Sequence, residues 1–334
     1  METPEQKKAL VMGAGGFIGS HMVSRLVSEN YFVVGVDLVE PKFEPSTAQI
    51  FRLGDCSERP FMLDLLREFQ FSEIYQFAAD MGGAGYIFTG ENDFNVMENS
   101  AGINIALCGA LVELFKDKGS YPRIFYSSSA CIYPESIQKD ADHVDLSEEN
   151  AYPANPDSDY GWEKLFSERL YMALHRNEGV EVRIGRFHNI YGPLGTWQGG
   201  KEKAPAAICR KVINSEDGSV EIWGDGEQTR SFLYIDDCIE AVRRFMSIPN
   251  FIGPMNIGSE EMVTINQLVK IACSVGGKEV RTTHINGPVG VRGRNSNNDL
   301  IRQKLSWDYS WSLEKGIAET YRWIESQVAL EEGP

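Results

Sequence analysis

The sequence predicts an α/β protein: a doubly wound parallel sheet with a second, smaller α/β lobe. Three observations carry that expectation. Short apolar runs alternate with segments whose apolar residues recur at helical spacing, the rhythm of βαβ units. A glycine-rich turn joins the first run to the first helical segment. The rhythm weakens after about Arg186, where the second lobe is expected to begin. At 334 residues the chain is long enough for both units.

In chain order, Ala9–Met12 and Phe32–Val36 are apolar or β-branched and short enough to be strands. Between them, Ile18–Glu29 places Ile18, Met22 and Leu26 on one helical face. Glu73–Phe77, Arg123–Ser127 and Val180–Ile184 read as further strands, with helices over Phe61–Phe69, Val96–Phe115 and Tyr160–Arg176. Two loop-rich zones, Asp140–Ser158 and Tyr191–Ala204, are long for a compact domain, and such loops are often functional. The run beginning at Phe232 leads a helix back toward the first unit. The expected division is therefore residues 1–185 plus about 232–256 in the N-terminal domain, and about 186–231 plus 257–334 in the lobe.

Composition narrows the function. Asp plus Glu number 48 against 32 Lys plus Arg, a net charge of −16, which argues against nucleic acid or an anionic membrane surface as partner. No stretch approaches the ~20 apolar residues of a membrane span. Met1–Lys8 is polar, unlike an export signal. The six cysteines (Cys56, Cys108, Cys131, Cys209, Cys238, Cys273) form no CxxC pair, so neither a disulfide framework nor a metal site is expected, and a reducing, cytoplasmic setting is.

The turn Gly13-Ala14-Gly15-Gly16-Phe17-Ile18-Gly19 has strand before it and helix after it. Glycines there let the backbone approach a pyrophosphate, and the helix N–H groups face the anion. Asp37 ends the second strand, where a carboxylate accepts from the ribose 2′-hydroxyl of NAD and repels the 2′-phosphate of NADP. The domain is thus expected to be of Rossmann type and to bind NAD, with Asp55 on the adenine side. Tyr160 and Lys164, four apart, share a helix face, an arrangement expected to lower the phenol's pKa and make Tyr160 a base. Upstream, the strand at Phe125 runs into Ser127-Ser128-Ser129, at the carboxyl edge where ligands bind such sheets; Ser129 can donate to the oxygen that Tyr160 handles.

The glycine turn, Asp37, Ser129, Tyr160, Lys164 and the stretch Arg186–Pro193 together resemble the extended short-chain dehydrogenase/reductase family, which modifies nucleotide sugars. Where sugar dehydratases of that family carry Asp-Glu, this chain has Ala130-Cys131. A thiol near a cation can serve as a base. The longer strings Ala78–Gly83, Ser128–Glu135, Gly195–Trp197, Gly199–Pro205, Trp223–Phe232 and Gly290–Ser296 are similar to the GDP-mannose 3,5-epimerase subfamily.

That resemblance implies a chemistry. Tyr160 takes the C4 hydroxyl proton, with Lys164 and Ser129 beside it. The transient 4-ketone acidifies C3 and C5, and Cys131 with Lys203 exchanges their protons from opposite faces. GDP-mannose becomes GDP-L-galactose, or GDP-L-gulose if only C5 inverts. It also implies Gly13, Gly15, Gly16, Phe17, Ile18, Gly19, Asp37, Asp55, Ala79, Asn99, Tyr160 and Lys164 at NAD, and a homodimer formed through Val96–Phe115 and Tyr160–Arg176. For the sugar nucleotide it implies Gly83, Ser129, Ala130, Cys131, Asn189, Glu202, Lys203, Ala204, Lys211, Gln228, Arg230 and Arg294. The basic residues would anchor phosphate, Arg292 less clearly, and Gly83 would admit the ligand by lacking a side chain. His188 is expected to be structural. Two rivals stand beside this reading: an epimerase of a different or modified nucleotide sugar, and a non-catalytic NAD-binding regulatory protein, which should have lost Tyr160, Lys164 or Ser129.

Overall fold

The computed structural model describes residues 6–216 and 218–332; most of the N-terminal polar run lies outside them. In chain order the elements are β1 (Lys8–Met12), α1 (Phe17–Ser28), β2 (Phe32–Asp37), β3 (Ile50–Leu53), α2 (Arg59–Glu68), β4 (Glu73–Gln76), a one-turn α3 (Ala84–Ile87), α4 (Asp93–Phe115) and β5 (Arg123–Ser129). Then come α5 (Asp159–Glu178), β6 (Val182–Phe187), β7 (Ile190–Tyr191), α6 (Ala204–Ile213), β8 (Ser219–Trp223), β9 (Thr229–Ser231), β10 (Leu233–Tyr234) and α7 (Ile235–Ser247). The chain closes with β11 (Met255–Ile257), β12 (Met262–Thr264), α8 (Ile265–Gly276), β13 (Arg281–Ile285), β14 (Gly293–Arg294), α9 (Asp299–Leu305) and α10 (Leu313–Glu332).

Seven parallel strands form the central sheet in the order β3-β2-β1-β4-β5-β6-β11. The first six repeat the 3-2-1-4-5-6 order of dinucleotide-binding sheets. Because helices cover both faces, β1 is a continuous apolar run, Ala9–Met12, with no exposure on either side. Successive side chains alternate: Ala9 and Val11 join the core under α1 and α7, while Leu10 and Met12 join the core under α2, α4 and α5. Each predicted strand and helix is present with ends shifted by a few residues. β3 was not foreseen: it has four residues, all partly exposed, on the sheet edge, too short for a periodic signal. Further along the chain, α7 packs on the sheet and β11 pairs in parallel with β6.

The lobe holds two small sheets. β9 lies between β12, antiparallel, and β14, parallel; β8 and β13 form a parallel pair. Helices α6, α8 and α10 pack on one another. The β9–β14 register sets Arg230 directly beside Arg294.

Candidate active site

The carboxyl ends of β1, β2, β4 and β5 open into one cavity of about 740 Å³, lined by Gly13, Gly15–Gly19, Asp37, Asp55, Ala79, Asn99, Ser129, Tyr160, Lys164 and Lys203 among others. Gly13 has φ +81°, a conformation side chains disfavour, and a Cβ there would lie 2.8 Å from the Ala78 nitrogen. The Asp37 carboxylate is held by N–H donors: Gly15 N to one oxygen at 2.9 Å, Leu38 N to the other at 2.7 Å. It is therefore a fixed acceptor at the lip of the glycine turn, suited to a ribose diol and hostile to a phosphate. The Asp55 carboxylate accepts from Ser57 N at 2.8 Å on the same wall. The elongated cavity, the anion-facing turn at the head of α1 and this carboxylate fit NAD.

At the other end, α5 delivers the tyrosine–lysine pair. Ser158 caps the helix, its hydroxyl accepting from Gly161 N at 3.3 Å, so Tyr160 and Lys164 sit in its first two turns. Lys164 is buried and donates to the Ser127 carbonyl at 3.1 Å; burial holds its pKa below the usual lysine range. Ser129 ends β5, accepts from Cys131 N at 3.2 Å and hydrogen-bonds Tyr160. The expected lowering of the Tyr160 pKa is corrected: burial, and next the Cys131 sulfur, push the phenol up, and the Ser129 bond and Arg294 only partly oppose them. The Lys164 ammonium lies 5.6 Å from the Tyr160 ring centre, but in this structure it is bound to a backbone carbonyl.

Cys131, in a 3-10 turn after β5, is buried, and Arg294 donates to its sulfur at 3.0 Å. Lys203 immediately precedes α6. Its ammonium makes no hydrogen bond or ion pair among the described residues; burial draws its pKa down, against the influence of Cys131 and Cys238. The loop carrying it is fastened. Gly83 N donates to the Lys201 carbonyl at 3.0 Å, the Lys201 ammonium lies 3.5 Å from Asp80 and over the Tyr86 ring, and Glu202 accepts from Gly200 N and Arg210. Gly83 thus serves a different purpose from the one expected: a Cβ there would strike the Glu202 carbonyl oxygen, so the glycine lets two loops touch.

Arg294 also departs from expectation. It donates to Gln138, Cys131 and Asp157, so three of its five N–H groups are engaged at the thiol end of the site. Its beside-strand neighbour Arg230 bonds only backbone carbonyls, of Thr229, Val289 and Val291; burial, and next Arg294, lower its pKa to about 9. A half-buried guanidinium that makes no ion pair among the described residues is suited to an anionic ligand. Arg292, by contrast, is neutralised at the surface by both oxygens of Asp225. Lys211, in the last turn of α6, donates to the Glu221 carbonyl of β8. Asn189, at φ +46°, donates to the Ser231 carbonyl, and Gln228 buries an amide oxygen that has no partner among the described residues. Ala130 and Ala204 flank Cys131 and Lys203. His188 is buried on Asn256 with its pKa lowered by burial to about 4, in keeping with a structural role. Sequence reasoning missed Asp80, which takes hydrogen bonds from Tyr86 and Asn99, and the Asp157–Gln138 pair around Arg294.

Residues 9–258 match the NAD dependent epimerase/dehydratase family. The chain belongs to that family. NAD is accordingly its cofactor. Among relatives, the GDP-mannose 3,5-epimerase of Arabidopsis thaliana is 44% identical over 335 residues, covering 98% of this chain and 84% of that protein. Among solved structures, the UDP-glucose 4-epimerase of Thermotoga maritima superposes with a TM-score of 0.82 at 24% identity, over 96% of this chain and 100% of that one. MoeE5 in complex with UDP-glucuronic acid and NAD gives 0.80 at 25%, over 96% and 99%.

Proposed function

We propose that this epimerase inverts C3 and C5 of GDP-mannose. One observation carries the reading beyond the family: a buried cysteine touched by a guanidinium lies between Tyr160 and a lysine whose ammonium has no acceptor among the described residues, at one cavity. Inversion at C4 alone needs no acid–base pair for carbon. Proton exchange at two carbons does. The 44% relative carries the same activity in its name.

Bound NAD supplies reversible hydride acceptance at C4. Around it, Gly13–Gly19 would hold the pyrophosphate, Asp37 and Lys164 the two riboses, and Asp55 the adenine. Tyr160 receives the C4 hydroxyl proton; with its phenol pushed up, it is a strong base once ionised, and Ser129 is placed to share that proton. Cys131 and Lys203 take and return the protons at carbon, the lowered lysine being the readier donor. Arg230 and Lys211 are left for phosphate, and Gln228 and Asn189 for the rest of the ligand.

We also propose a homodimer through α4 and α5, which expose Phe94, Met97, Ile105, Trp162 and Phe166. A reducing, cytoplasmic setting is supported by six free cysteines. Among the described residues, no helix is long and apolar enough to cross a membrane.

Incubation with GDP-mannose in heavy water, without added cofactor, tests the function. Deuterium at C3 and C5 with new galactose- and gulose-type isomers is expected, and its loss in Cys131→Ala with NAD retained. A product inverted at C4 without exchange would overturn the reading.

A further inference from the structure

The carboxylate on the cysteine's arginine has no part in the scheme above. Arg294 is 5% exposed and gripped on three sides: Nε donates to Gln138 Oε1 at 2.7 Å, one terminal nitrogen to Cys131 Sγ at 3.0 Å, the other to Asp157 Oδ2 at 2.6 Å. Gln138 cannot turn its amide, because Nε2 donates to the carbonyls of Tyr133 and Pro134. Asp157 is itself buried; its other oxygen accepts from Ser158, the residue that caps α5 ahead of Tyr160.

The charges around the sulfur are lopsided. Tyr160 and Lys164 face Cys131 from α5, Lys203 from the start of α6, Arg230 from β9 and Arg294 from β14. Four of these five groups are cations. Glu163 and Glu168 act on Lys164 from its own helix, whereas Asp157 acts on both Arg230 and Arg294. Arg294 therefore stands between two acceptors, a carboxylate and a sulfur, and whatever charge one withdraws the other loses.

We propose that Asp157 is a positioning residue: with Gln138 it aims the Arg294 guanidinium at the Cys131 sulfur, and its charge sets how strongly that cation acts there. The proposal rests on Cys131 as the acid–base at carbon. The guanidinium that touches the sulfur is shared with a carboxylate on its other side. The carboxylate moderates it.

Asp157→Asn keeps an acceptor oxygen for Arg294 and removes the charge. The pH profile of Cys131 alkylation by iodoacetamide, followed on the holoenzyme by peptide mass, moves about one unit to lower pH. Gln138→Glu adds a charge on the opposite side of the guanidinium and moves the profile the other way. Opposite shifts are the signature of charge; a loosened fold moves both profiles alike. No shift, or shifts in one direction, overturns the proposal. Alkylation needs no sugar nucleotide, so this result is separable from failure of the epimerase reading, which shows as absent exchange in the unsubstituted enzyme. With GDP-mannose, Asp157→Asn slows exchange at C3 and C5 about tenfold while the transient reduced-nicotinamide signal of C4 oxidation is kept, in line with loss of one charged hydrogen bond. Equal loss of both signals overturns it as well.

Discussion

Replacing Lys203 by Met is expected to stabilise the protein while disabling it. Lys203 is half-buried on the cavity wall and its ammonium has no acceptor among the described residues, so folding strips part of its water without a compensating bond. Methionine keeps the length of the side chain and discards the charge. Removing such a functional cost commonly yields about 0.5–2 kcal/mol. For 334 residues the unfolding entropy is about 0.7 kcal/mol/K, so Tm should rise by about 1–3 °C. The pH dependence fixes the cause. Burial holds the folded-state pKa of Lys203 below its ordinary value. Between the folded value and about 10.4 the unfolded chain binds the extra proton, so this lysine makes stability rise with pH across that window. The methionine variant lacks that slope. Its Tm advantage should be largest near neutrality and close as pH approaches about 10.4. Scanning calorimetry of NAD-saturated protein from pH 7 to 10 measures the gap, and deuterium exchange should fall by about 10²–10⁴. A Tm that falls, or a gap that ignores pH, would refute the argument, because the ammonium would then have a stabilising partner.

Gly83→Ala should leave the NAD content unchanged and slow exchange by about tenfold to a hundredfold, since the new Cβ forces the Glu202 carbonyl, and with it Lys203, out of place; HPLC of released cofactor and single-turnover exchange separate the two effects. Glu168→Gln leaves the buried Arg186 guanidinium without its charged partner, to which two of its nitrogens donate at 2.9 Å. It should lower stability by about 3–5 kcal/mol, seen as a Tm drop of roughly 4–7 °C, and adding Arg186→Met should restore most of it.

What was legible in the sequence is what local spacing determines. The glycine turn, Asp37 at the end of β2, and the Tyr160–Lys164 pair each lie within one βα unit, so their neighbours in space are their neighbours in the chain. β3 carried too few residues for any period to register. Arg294 shows a different limit. Its residue type announced an acceptor of its donors, yet that the acceptor is the Cys131 sulfur depends on Asp157, 137 positions away in a loop, and on the β9–β14 register. Tyr160 shows a third. The lysine four residues on was expected to acidify it, and helical geometry does bring the two together. Burial acts on both at once, though, raising the phenol and lowering the ammonium. Spacing reveals which groups meet; it says nothing of how dry the meeting place is. In a closed site that term is the largest one, and it runs against the charge on Tyr160, Lys164 and Lys203 alike. The cations are therefore held together by what lies among them, Glu163 and Glu168 beside Lys164, Asp157 beside Arg230 and Arg294, and the Cys131 sulfur, and a phosphorylated ligand would add anions next to Arg230, which makes no ion pair among the described residues.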